Sequence, residues 1–225
     1  MGKYKKRQMS ETLLLGMMLA VVGGFLDAYT YIIRGGVFAN AQTGNIVLLG
    51  LHGAKGEWKE VIFYIIPIIA FALGVVMSEM VKSRFKMQKA IHWRQLVLMV
   101  EMILLLIVAF IPKGNMDVIV NIIVSFVCAM QVEAFRKVNG NAFATTMCTG
   151  NLRSGMEQLY HYKNKKDKEL LYKGLQYYGV ILFFIVGAVF GTVITSRIEE
   201  KSVLFCVAVL LAAFLLMFVR EDREY

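Results

Sequence analysis

The chain has 225 residues, 58% of them hydrophobic, with only two prolines and a mean hydropathy of +0.60. A water-soluble domain of this length cannot hide so much apolar surface, because its own exterior must be wetted. The formal net charge of +9 would suit a nucleic-acid partner, but the placement of the charges, given below, argues against one.

Apolar stretches long enough to cross about 30 Å of hydrocarbon at 1.5 Å per residue define the predicted elements. The first is 12–33, preceded by Lys3, Lys5, Lys6 and Arg7. With Ala39-Asn40-Ala41 downstream it imitates a secretory signal, but the run is too long for one, and the residues beyond belong to a repeated pattern. Residues 35–57 come next and contain Ile46-Val47-Leu48-Leu49-Gly50-Leu51. This is too apolar for an exposed loop and too short to span, so a re-entrant segment is expected, with Thr43 or Asn45 capping a short helix. Spans at 60–81, 95–112 and 116–137 follow. The segment 138–170 is more polar, with Arg153 and Glu157 at helix-pairing distance, and is expected to stay nearer the surface. The last spans are 174–196 and 202–219. The fold class is therefore an all-α integral membrane protein of six transmembrane helices.

With the N-terminus placed inside, nineteen of the Lys and Arg residues fall on the inner side and six on the outer. That is the positive-inside asymmetry, so both termini are expected in the cytoplasm. The basic balance then concerns topology and anionic lipid, and no nucleic-acid partner is expected.

The chain repeats itself. Thr43-Gly44-Asn45 returns as Thr149-Gly150-Asn151, and an acidic residue, Asp27 or Glu133, stands eighteen positions before each Asn. Phe38-Ala39 answers to Phe143-Ala144 with a one-residue slip, and Gly74 and Gly187 each precede a Ser-Arg pair by the same interval. Two units are read, 1–114 and 115–225, each of three spans. Three is odd, so the second unit has the opposite orientation, a plan many secondary transporters use.

Two readings accompany each candidate residue. Gly16, Ala20, Gly23, Asp27 and Arg34 form one stripe on the first span. Asp27 is then either a coupling or substrate-binding carboxylate or half of a packing ion pair with Arg34 or a residue of another span. Glu133 is its counterpart, but Arg136 and Lys137 lie within reach on the same helix. Thr43, Gly44, Asn45, Thr149, Gly150 and Asn151 offer hydroxyls, amides and helix-start N–H groups to an ion or polar solute, or serve only as turns and caps. Gly74–Ser78 and Gly187–Gly191 have small-xxx-small spacing, for which helix packing is the default, and a homodimer through those faces is one expectation. Glu101 lies on the third span, with Arg94 two turns back to snorkel towards it. The three cysteines and three histidines show no metal spacing, and no nucleophile–base set or nucleotide loop is present. No metal, cofactor or enzymatic activity is expected.

Gly23-Gly24-Phe25-Leu26-Asp27-Ala28-Tyr29 and Val37-Phe38-Ala39-Asn40-Ala41-Gln42-Thr43-Gly44-Asn45 resemble the YoaK family of bacterial membrane proteins, DUF1275. The resemblance runs over nearly the whole chain. It implies a multi-span protein of the bacterial inner (plasma) membrane, described as transporter-like, and carries over no catalytic or ligand residue. The combined expectation is a transporter of a small solute or ion embedded in the lipid bilayer. An ion channel and a non-transporting membrane binding or assembly module are the rivals.

Overall fold

The computed structural model describes residues 11–86, 92–138, 141–143 and 145–219. Lys3, Lys5, Lys6, Arg7, Lys89, Arg220 and Arg223, which the charge asymmetry counts, and Ala144 of the repeated motif lie outside the described residues. Helix α1 (Leu13–Ile33) starts where the Thr12 hydroxyl accepts the Leu15 N–H, and stops at Arg34. Gly35 and Gly36 follow with φ of +82° and +74°. Side chains rarely adopt that conformation, and these two glycines let the chain double back along the helix it has just left. Helices α2 (Gln42–Ala54), α3 (Trp58–Phe85) and α4 (Trp93–Val108) come next. A capping box opens α4: His92 accepts the Arg94 N–H, and Gln95 accepts the His92 N–H. Helix α5 (Asp117–Ala134) leads into a small hairpin, β1 (Lys137–Val138) against β2 (Asn141–Ala142). Then come α6 (Cys148–Lys165), α7 (Lys168–Ile198), a 3-10 turn (Glu199–Val203) and α8 (Leu204–Val219).

Helices α1, α3 and α5 and the run Lys168–Phe218 are long and apolar enough to cross a membrane. On α3, Ile62, Ile65, Ile69, Leu73, Val76 and Met80 are exposed at helical spacing, an apolar face of the kind that meets lipid or a partner protein. The predicted spans differ from the helices mainly in length. Helices α4 and α8 have 16 residues each, about 24 Å. By contrast α7 has 31 residues, about 46 Å, and projects beyond any hydrocarbon slab.

The core has two close helix contacts of one kind. A Cβ at Gly187 would lie 2.1 Å from the Val21 carbonyl oxygen, and one at Gly191 would lie 2.8 Å from that of Phe25. On the other side a Cβ at Gly74 would lie 2.3 Å from the Phe126 carbonyl oxygen, while the Ser78 hydroxyl donates to the Met130 carbonyl at 3.4 Å. Thus α7 closes on α1, and α3 on α5, each through its small-xxx-small pair. Both faces are used within one chain, so a homodimer would need another surface. The α1 stripe is corrected. The residue that admits α7 is Gly24, whose Cβ would sit 2.0 Å from the Phe184 carbonyl oxygen. Ala20 packs with Phe143, Tyr177 and Val180, and Gly16 is buried within α1.

A methyl group has no room at Gly24 or Gly187, and backbone cannot rotate aside as a side chain can. Gly24→Ala or Gly187→Ala is expected to separate α1 from α7 and cost about 1–3 kcal/mol or more. Gly50, with nothing within 4 Å of its Cβ direction, is the control. There alanine should gain about 0.5–1 kcal/mol of helix propensity. Thermal unfolding in one detergent orders the three variants, and equal melting temperatures would refute the contact.

The ends of the bundle are tied by polar groups. At one end Arg34 is fully buried. It donates to the Tyr29 hydroxyl (2.8 Å), Asp117 (3.0 Å) and the carbonyls of Ile111 (2.7 Å) and Pro112 (3.0 Å). Asn121 donates to the Arg34 carbonyl at 2.8 Å. Lys113 joins the same end, pairing with Glu199 and donating its N–H to Glu200, a bond that holds the Glu200 carboxyl below its ordinary range. At the opposite end Arg94 bonds Glu11 and the Ala134 carbonyl, and Lys82 pairs with Glu79 at 2.6 Å.

Candidate functional site

Gly23 is the central residue of the 21-residue α1, and two chain segments arrive there from opposite ends of the bundle. From one end, residues 37–40 descend along α1. Tyr31 stacks on Phe38 at 4.7 Å, the Ala39 N–H reaches the Thr30 hydroxyl at 3.4 Å, and the Asn40 N–H donates to Asp27 Oδ1 at 2.9 Å. Helix α2 then turns back the way the chain came. From the other end the β1–β2 hairpin reverses the chain, with the Phe143 N–H on the Arg136 carbonyl at 3.0 Å. Phe143 stacks on Tyr177 at 3.9 Å, and Thr146 reaches Gly23 before α6 turns back. A Cβ on Gly23 would meet the Thr146 methyl at 2.5 Å and Asn40 Nδ2 at 3.3 Å. The glycine is what lets both segments touch α1 at one level.

Both segments thus reach the middle of α1, and the second, expected nearer the surface, comes as deep as the first. The cap assignment is also corrected. Ala41 and Met147 are the N-caps, neither with a side-chain cap, and Thr43-Gly44-Asn45 and Thr149-Gly150-Asn151 form the first turns of α2 and α6. Asn45 and Asn151 are buried. The Asn45 amide donates to the Phe38 carbonyl and to Gln42 Oε1, both at 3.0 Å, and so stitches the descending segment to its helix. Thr43, Thr149 and Gly150 are exposed, while Gly44 packs beside Phe38.

Asp27 is 7% exposed. Its carboxylate accepts the backbone N–H of Asn40 at the start of α2, where a helix N-terminus favours negative charge. Arg34 is engaged elsewhere, so the packing ion pair with Asp27 is ruled out, and no cation pairs with Asp27 among the described residues. Glu133 does not mirror it. Glu133 lies near the far end of α5, bonded to Arg136 at 3.0 Å, and so takes the surface ion pair the sequence offered it. Glu101 is fully buried and neither of its carboxyl oxygens has a partner. Arg94 turns to Ala134 and Glu11 instead of snorkelling towards it, which corrects that pairing.

Three site residues were absent from the sequence expectations. Asn40, Thr145 and Thr146 are 1%, 1% and 4% exposed, and both Asn40 amide atoms and both threonine hydroxyls have no hydrogen-bond partner. Buried polar groups are normally paired, so an unpaired group of them at mid-bundle marks a place built to meet something polar. A signal existed in the sequence: Asn40 and Thr146 each stand five residues before the Asn of their own triplet.

The fold and this centre define a multi-span helical membrane protein in which two half-helices start from the middle of the bundle. The chain belongs to the family described as protein of unknown function DUF1275, whose model matches residues 15–217. It is 28% identical over 185 residues to the UPF0700 transmembrane protein YoaK of Bacillus subtilis (strain 168), covering 76% of this chain and 79% of that one. No solved structure matches it.

Proposed function

We propose that this protein is a transporter of a small solute in the bacterial plasma membrane, built of two inverted units of three spans and one half-helix each. The observation that carries this reading is the convergence of two re-entrant segments on Gly23, with unpaired Asn40, Thr145 and Thr146 beside Asp27. Half-helices that break at mid-bundle and expose their first N–H groups there are how many carriers hold a polar substrate away from lipid.

The pairing of helices supports the inverted plan. The contact of α7 with α1 has a counterpart in that of α3 with α5: Gly187 lies against a carbonyl of α1 as Gly74 lies against a carbonyl of α5. Asn40 and Thr146, at equivalent positions of the two units, meet at one point, as residues beside a two-fold axis must. The six-span count rests on α4 and α8. Each needs only its flanking turn, 109–112 or Glu199–Val203, to make up the thickness its 16 residues leave uncovered.

The charge asymmetry supports a cytoplasmic side for the end that holds Glu11, Arg94 and Arg136, together with both termini. A single cysteine in place of Lys165, on a background without Cys128, Cys148 and Cys206, is expected to stay unlabelled by an impermeant maleimide in intact cells and to react after lysis. Labelling in intact cells would reverse the orientation. Function is tested in proteoliposomes. A carrier shows uptake that saturates and counterflow on preloading, a channel gives flux that rises linearly with concentration, and a non-transporting module gives neither.

A further inference from the structure

The two half-helix starts are equivalent by position but not by chemistry. At α2 the backbone N–H of Asn40 is met by a carboxylate that the chain itself provides, Asp27. At α6 the corresponding residues are Thr146 and Met147, and the corresponding carboxylate, Glu133, has gone to Arg136. Met147 supplies no side-chain cap, and no backbone–backbone hydrogen bond from the N–H of Thr145, Thr146 or Met147 is formed among the described residues. Around that start lie the unpaired hydroxyls of Thr145 and Thr146 and the unpaired amide of Asn40, all more than nine-tenths buried.

Resting on the transporter reading, we infer that the solute is a small carboxylate, received at the start of α6 as Asp27 is received at the start of α2. The first unit acts as the template for the second: same backbone turn, same helix end, same demand for an acceptor that carries negative charge. The N–H groups of the α6 start, the two hydroxyls and the Asn40 Nδ2 are donors enough for both oxygens of a carboxylate. The helix end adds a favourable field for its charge. Asp27 bonds the Asn40 N–H, and Asn40 lies with Thr146 at Gly23, so its charge stands beside the α6 start. A second carboxylate therefore enters most easily with a proton, which Asp27 is placed to hold. No Lys, Arg or His from the described helices pairs with Asp27.

The test uses the full chain in proteoliposomes and in detergent, with formate, acetate, lactate and succinate as probes and acetamide as the neutral match for acetate. Acetate or a close relative is expected to raise the melting temperature and to be taken up, and acetamide to do neither. Thr146→Val keeps the shape and removes the hydroxyl. It should weaken acetate binding at least tenfold, with Thr146→Ser restoring it. If Thr146→Val fails to fold, Asn40→Leu provides the same comparison. Uptake of acetamide or another neutral solute with no response to any carboxylate would overturn the inference while leaving transport intact. A melting-temperature rise with sodium chloride but not choline chloride, without a carboxylate response, would assign the centre to a cation and overturn it too. Carboxylate binding without any flux would sustain the inference and defeat the transporter reading.

Discussion

Asp27→Asn is expected to fold normally and to lose the pH-dependent part of flux entirely. The two halves of that expectation come from different facts. Folding should survive because the Asn oxygen can still accept the Asn40 N–H that the carboxylate holds now, and because no cation among the described residues is stranded by removing the charge. The cost should stay within about 1 kcal/mol, whereas Asp27→Ala orphans a buried N–H group at about 1–3 kcal/mol. Flux should change because the amide cannot take up or release a proton at an acidic position facing the mid-bundle centre. Melting curves of both variants beside flux measured from pH 5 to 8 make the comparison. A well-folded Asp27→Asn protein with an unaltered pH profile would sink the coupling role, and Asp27 would then be only the cap of α2.

Arg34→Met should be the most damaging single change at the other end of the bundle. Arg34 is fully buried and is the common partner of Tyr29, Asp117 and two carbonyls from the turn after α4. It therefore binds the end of α1 to the α4–α5 connection. Methionine keeps much of the length and apolar stem but leaves the Tyr29 hydroxyl, the Asp117 carboxylate and the Ile111 and Pro112 carbonyls without their donor. Breaking a buried pair from one side costs about 3–5 kcal/mol. Asp117 is 19% exposed at its side chain, so water relieves part of its share and the lower figure is the one expected. Arg34→Lys should recover less than half of the loss. A single ammonium cannot span Tyr29, Asp117 and two carbonyls from one position as the planar fork does. The measurement is the melting temperature of Arg34→Met, Arg34→Lys and Asp117→Asn in one detergent. Values equal to that of the unmodified protein would mean the cluster is decorative.

The two predictions touch residues that the sequence placed on one stripe, and the structure separated them. Asp27 and Arg34 are seven residues apart on a helix, which allowed an ion pair. Which partner each took depended on elements far along the chain: Asn40 folding back for one, Asp117 and the turn after α4 for the other. The same holds for Arg94 and Glu101.

What the amino-acid sequence determined alone was the set of properties local in the chain. Apolar run length and composition decide that the protein lies in a membrane and roughly where its helices are, because hydrocarbon thickness sets a minimum length and forbids unpaired backbone. The motif arithmetic matched Asp27 with Glu133 and the two triplets with each other, and the apolar stretch after Thr43 marked a short helix between two longer ones. Only the tertiary structure decided that the second segment also reaches Gly23, that the triplets are first turns and not caps, and that Asn40, Thr145 and Thr146 form the centre. It also decided that Glu133, the formal equal of Asp27, stands apart. The physical reason is that burial and pairing are properties of what packs against a residue. Thr146 and Gly23 lie more than a hundred positions apart, and their meeting depends on a hairpin, an aromatic stack on Tyr177 and a glycine with no side chain in the way.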